Sequence, residues 1–79
     1  MKVILYGTPN CMWCVKAKEY LKEKGIPFEY IDVSQDQEAA QEMVKKSKQM
    51  GVPVIEIDGE IIVGFEKEKI NKKLKIKED

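Results

Sequence analysis

The sequence contains no histidine and no arginine, and every one of its fourteen basic side chains is a lysine. The first absence removes the usual proton shuttle near neutral pH, and the second removes the planar fork that grips carboxylates and phosphates. Fourteen acidic residues cancel the fourteen lysines, so the chain lacks the basic excess that nucleic-acid and anionic-membrane binders gather on one face. Neither nucleic acid nor membrane is therefore an expected partner. Long hydrophobic runs are missing as well: after Met1-Lys2 comes only Val3-Ile4-Leu5, too short for a signal-peptide core or a membrane span. The expected location is the cytoplasm. No internal repeat, low-complexity tract or Pro/Gly/Ser linker divides the 79 residues, which are expected to form one domain, 1–79, acting as a monomer. Cysteine is scarce, with Cys11 and Cys14 alone, and two cysteines in a reducing compartment point to reactivity rather than to a structural role.

What is present alternates strand-like and helix-like segments from end to end. Residues 2–6 are a short apolar run of β-formers closed by Gly7-Thr8-Pro9-Asn10, as for a buried strand entering a loop. Over residues 12–24, Cys14, Ala17 and Leu21 recur at helical spacing among lysines and glutamates, and Gly25 supplies a left-handed stop. Residues 28–33 read as a second strand. Ser34-Gln35-Asp36-Gln37 fits a capping box, followed by a helix over residues 36–49 with Ala40, Met43, Val44 and Ser47 on one face and Gly51 past its end. Two β-rich runs, 54–57 and 60–63, are joined by Asp58-Gly59, a strong hairpin signal. A thin amphipathic helix, residues 66–77, places Ile70 and Leu74 one turn apart. The order β-α-β-α-β-β-α predicts an α/β fold: one crossover makes the first two strands parallel, the hairpin makes the last two antiparallel, and helices cover a mixed four-stranded sheet.

The chemistry is carried by Cys11-Met12-Trp13-Cys14, which falls where the first loop becomes the first helix. A cysteine at a helix start faces unpaired N–H groups and the positive end of the helix dipole, which stabilise a thiolate. Cys11, nearer the loop, is expected to be the more acidic and more exposed of the two. Two intervening residues bring Cys14 back within reach of Cys11 after one helical turn. Cys11 would then attack a substrate disulfide and Cys14 would resolve the mixed disulfide. Three plainer readings compete. Half of a zinc site would need ligands from a second chain, since structural zinc takes four Cys or His. A structural disulfide closing so short a loop constrains the unfolded chain little. Two unrelated core cysteines are the third.

With those residues in view, the chain resembles the glutaredoxin family over essentially its whole length, and more narrowly the short glutaredoxin-like redoxins that include the ribonucleotide-reductase type. The resemblance is carried by the opening strand with Tyr6, by Cys11-Met12-Trp13-Cys14, by Gly51-Val52-Pro53, and by Gly64 after the hairpin. It implies the thioredoxin fold with three helices, a dithiol disulfide reductase and electron carrier of cell redox homeostasis, and a redox-active Cys11–Cys14 disulfide in place of any bound cofactor or metal. It implies a cis bond before Pro53, which lies against the cysteines, and a Val52 backbone that docks an extended substrate segment. Met12 and Trp13 replace the Pro-Tyr pair common in the family, and Trp13 can serve as an apolar contact beside the reacting sulfur. Glutathione-binding members carry Gly-Gly and then an acid after the last strand. Here Gly64-Phe65-Glu66-Lys67 puts a bulky ring and a lysine in those places, whereas Gln49 matches a position used for the glycine carboxylate. Gly64 and Phe65 are what the ribonucleotide-reductase-type redoxins show. The expected partners are a disulfide-containing protein substrate and, as electron donor, a thioredoxin reductase-like flavoprotein or glutathione. A glutathione-dependent glutaredoxin is the rival enzyme, and a module sharing a metal or iron-sulfur cluster between two chains through Cys11 is the rival of another class.

Overall fold

A computed structural model describes residues 2–75. Within them β1 (Val3–Gly7), α1 (Met12–Glu23), β2 (Glu29–Asp32), α2 (Gln37–Ser47), β3 (Val54–Ile57), β4 (Glu60–Val63) and α3 (Lys67–Leu74) follow in the expected order. β1 pairs parallel with β2 and antiparallel with β3, and β3 pairs antiparallel with β4, so the mixed sheet runs β2-β1-β3-β4. This is the thioredoxin fold anticipated above.

The sequence of β1 explains its central place. All five residues are buried, as befits a strand paired on both edges and covered on both faces. Because successive side chains point to opposite faces, Val3 and Leu5 enter one core with Ala17, Tyr20 and Leu21 of α1 and Ile70 and Leu74 of α3. Ile4 and Tyr6 enter the other, against Ala39 and Met43 of α2. Thus α1 and α3 cover one face and α2 covers the second. Burying a side chain such as Leu5 or Leu21 in this way contributes about 1.5–3 kcal/mol each. On the α2 side, Lys46 Nζ ties helix to sheet by reaching Glu56 of β3 at 2.7 Å and Glu42 at 3.0 Å. Those carboxylates, Glu56 first, hold its ammonium above the usual lysine range.

Several boundaries differ from expectation. The cap of α2 is Asp36, whose carboxylate accepts the Ala39 N–H at 3.0 Å. Ser34 instead turns back, its N–H and hydroxyl both donating to Asp32 Oδ1 at 2.9 and 2.6 Å. An aspartate at the helix start satisfies the free N–H and also meets the positive helix end, so it outcompetes the serine two residues earlier. The buried stripe of α2 is Ala39 and Met43, with Ala40, Val44 and Ser47 half-buried beside it. The helix stops at Ser47 on a left-handed Lys48, φ 60°, whose N–H reaches Val44 O at 2.7 Å. Lysine seldom takes that conformation, which is why the sequence pointed to Gly51. Gly25, φ 68°, does end α1, and Asp58 and Gly59, φ 49° and 88°, make the hairpin turn. β2 is shorter than its apolar run. The expected third helix reaches residues 76 and 77, which lie outside the described residues.

Candidate active site

Cys11 is the N-cap of α1. Its extended backbone, φ −100° and ψ 112°, lets Sγ accept the Cys14 N–H at 3.2 Å, so the sulfur caps the helix it introduces. The same thiol donates toward Val52 O at 3.9 Å. Cys11 is half-exposed, whereas Cys14, one turn further along the inner face, is 1% exposed. Burial, and then the contact with Cys11, pushes the Cys14 thiol up from an ordinary 9.0 to about 12, against a smaller opposing effect from the Thr8 backbone. One sulfur is thus presented to solvent at a helix N-terminus and the other is held back, protonated, behind it.

The loop between α2 and β3 forms the facing wall. The Val52–Pro53 bond is cis and Pro53 is fully buried, as the resemblance implied. Pro53 O accepts the Gly64 N–H at 2.8 Å, which links this loop to the end of β4, and Gly64, φ 81°, turns the chain away. Between them runs a groove of about 280 Å³ lined by Trp13, Val52, Pro53, Gly64 and Phe65. Trp13 is half exposed and its ring faces that of Phe65 at 6.4 Å. Phe65 meets Tyr20 edge-on at 5.6 Å on its other side. Tyr20 is fixed in turn by a hydrogen bond to Asn71 of α3, and Lys67 Nζ lies 5.2 Å over its ring.

Five of the seven sequence-derived contact residues therefore share one groove beside Cys11. Met12, 65% exposed, stands outside it. The Gln49 side chain is turned into its own loop, accepting the Gly51 N–H at 2.6 Å and donating to Gly51 O at 2.9 Å and Ser47 Oγ at 3.2 Å. Its amide shapes the approach to Val52 and Pro53 rather than reaching into the groove. Sequence reasoning missed two residues. A β-carbon on Gly7 would lie 3.0 Å from both Cβ and Sγ of Cys14 and 3.2 Å from Cε2 of Tyr30, so only glycine leaves room for this packing. A glycine closing a fully buried strand just ahead of the cysteines was the available signal, and it read as a turn. Tyr30 gave none. Among the described residues no group of three or more His, Cys, Asp or Glu side chains is placed to hold a metal ion, and no helix is long and apolar enough to cross a membrane.

Comparison with known proteins agrees with this geometry. A glutaredoxin-like 8.6 kDa protein of the rubredoxin operon of Clostridium pasteurianum is 56% identical over 68 residues, covering 86% of this chain and 91% of that protein. The crystal structure of a thioredoxin-like protein, 33% identical, superposes with a TM-score of 0.86 over 91% of this chain and 99% of the other. NrdH-redoxin from Escherichia coli, a glutaredoxin-like protein with a thioredoxin-like activity profile, gives a TM-score of 0.82 at 26% identity, over 91% and 93% of the two chains. The glutaredoxin family model matches residues 3–62. With the half-exposed N-cap cysteine and the buried cysteine behind it, that match means the chain belongs to the glutaredoxin family of thiol–disulfide oxidoreductases.

Proposed function

We propose that this protein is a dithiol reductase of protein disulfides in the cytoplasm, served by a thioredoxin reductase-like flavoprotein in preference to glutathione. The observation that carries the reading is the contrast between the two thiols: Cys11 partly exposed at a helix N-terminus, Cys14 buried and pushed up to about 12. The Cys11 thiolate attacks one sulfur of the substrate disulfide. A Cys11–substrate disulfide forms and the first substrate thiolate leaves, taking a proton. Cys14 then gives its proton to solvent and attacks Cys11 Sγ. The Cys11–substrate bond breaks, the Cys11–Cys14 bond forms, and the second substrate thiolate leaves and is protonated. Two electrons have passed from the dithiol to the substrate. The rise at Cys14 suits this order, because a buried thiol stays protonated until a disulfide is presented next to it.

An extended segment flanking the substrate cysteine fits the groove between Trp13 and Phe65, with the Val52 backbone as its hydrogen-bonding edge. The choice of donor is supported by the far end of that groove. Phe65 is packed between Trp13 and Tyr20, and Lys67 lies over Tyr20, where a glutathione site needs a small residue and an acid. The Gln49 amide is committed to its own loop.

The reading is tested by mixing each cysteine variant with a disulfide-containing protein such as insulin. Cys11→Ser should abolish reduction. Cys14→Ser should accumulate a mixed disulfide visible by mass spectrometry. A Cys14→Ser protein that turns over, or a mixed disulfide formed on Cys14, would overturn the assignment. In parallel, NADPH with thioredoxin reductase should sustain faster turnover of the unmodified protein than glutathione with its own reductase.

A further inference from the structure

Tyr30 stands in the middle of β2 and has no part in the reaction as described. Its ring edge and the side chain of Cys14 converge on one spot: Cε2 lies 3.2 Å, and Cys14 Cβ and Sγ lie 3.0 Å, from the point where a Gly7 β-carbon would sit. Lys18 Nζ lies 4.8 Å from the centroid of the same ring. Cys14 and Lys18 are four residues apart on α1 and so share a helix face. That face places a sulfur near the ring edge at one turn and an ammonium over the ring at the next. An ammonium over an aromatic face is attracted by the ring's negative quadrupole, which holds the ring in place. Tyr30 also packs against the core that α1 and α3 cover.

We propose that Tyr30 is a positioning residue for the resolving thiol: its ring, held by Lys18, walls Cys14 from solvent so that Cys14 reacts only with a disulfide on Cys11. The inference rests on the resolving role given to Cys14 above. The ring, not the hydroxyl, does this work, because it is the ring edge that fills the space beside Gly7 and Cys14. The ionisable groups around the site are Cys11, Cys14 and Lys18 from α1 and Asp32 from β2, while β1 contributes Gly7 without a side chain. Burial first, and then the charges of Cys14, Asp32 and Cys11, raise the Tyr30 phenol above its ordinary range, which agrees with a neutral side chain close to both sulfurs.

The test measures Cys14 alone. In Cys11→Ser protein, alkylation of Cys14 by iodoacetamide is followed by mass spectrometry from pH 7 to 11, with Tyr30 unchanged or replaced by Phe, Leu or Ala. Tyr30→Ala should alkylate about tenfold faster at pH 8, the change expected of a one-unit fall in the thiol's titration, with the whole pH profile moved down. Tyr30→Phe should stay within about twofold of the unmodified residue, because the ring is kept. Tyr30→Leu, which keeps apolar bulk on β2, should fall between and serves as the test should circular dichroism show that Tyr30→Ala does not fold. Because no turnover is involved, the outcome is independent of the trapping experiment that tests the role of Cys14. Unchanged profiles in Tyr30→Ala and Tyr30→Leu, or a Tyr30→Phe protein as reactive as Tyr30→Ala, would overturn the proposal.

Discussion

Adding one methyl group at Gly7 should slow the second half of the reaction while leaving the first half intact. In Gly7→Ala the new carbon would meet Cys14 Cβ and Sγ at 3.0 Å and Tyr30 Cε2 at 3.2 Å, inside the 3.5–4.0 Å at which carbon contacts are attractive. Little around it can give way. The Gly7 backbone is paired with Asp32 on β2, and Gly7 O accepts the Val33 N–H at 2.9 Å, so the strand is pinned. Cys14 is buried on α1, and Tyr30 sits beneath Lys18. Overpacking of this kind typically costs about 1–3 kcal/mol. At about 4–8 °C per kcal/mol for a domain of this size, the melting temperature of the reduced protein should fall by roughly 5–20 °C. The displaced Cys14 should reach the mixed disulfide more slowly, so the Cys11–substrate intermediate should build up. Alkylation of Cys11, the more exposed of the two sulfurs, should be unchanged. Removing the Cys14 sulfur in a Gly7→Ala, Cys14→Ala double variant should recover part of the lost stability, because the two sites are in contact. A Gly7→Ala protein that melts within about 2 °C of the parent and turns over normally would refute the reasoning, since the shift would then be below the smallest overpacking cost.

Two further outcomes are expected. Phe65→Gly with Lys67→Asp should raise glutathione-dependent turnover by about one to two decades, because a restored charge-assisted hydrogen bond is worth about 1.5–3 kcal/mol, and Cys11 alkylation should not change; equal turnover before and after would mean the residues after Gly64 do not govern the donor. The raised Cys14 thiol also gives stability a pH dependence with a definite sign. In the unfolded chain the thiol ionises near 9.0, whereas in the folded protein it stays protonated to about 12, so the folded state binds more protons and its stability falls as pH rises through that window. Chemical denaturation of reduced protein should show a decline above pH 9 that is smaller in Cys14→Ala.

Local rules were enough to set the order of elements and to mark Cys11 and Cys14 as the candidate pair. Helical spacing of Cys14, Ala17 and Leu21, the left-handed stop at Gly25 and the Asp58-Gly59 turn each act within a few residues. The place of Cys11 at a helix start follows from the same local reading, and the half-exposed N-cap sulfur agrees with it. Where two local signals competed, the pattern misled. Ser34 and Asp36 could each have capped α2, and the stop of that helix fell on a lysine whose left-handed backbone no propensity would suggest. The tertiary structure alone decided what surrounds the sulfurs. Residues 11, 52 and 64 meet because β1 lies between β2 and β3, which brings the end of the α2–β3 loop to the start of α1. The close packing of Gly7, Cys14 and Tyr30 depends on three elements meeting at one point, and the column Trp13–Phe65–Tyr20–Asn71 joins α1 to α3 across the groove. Contacts of this kind leave no periodicity in the chain, since each partner is chosen by a neighbour many residues away.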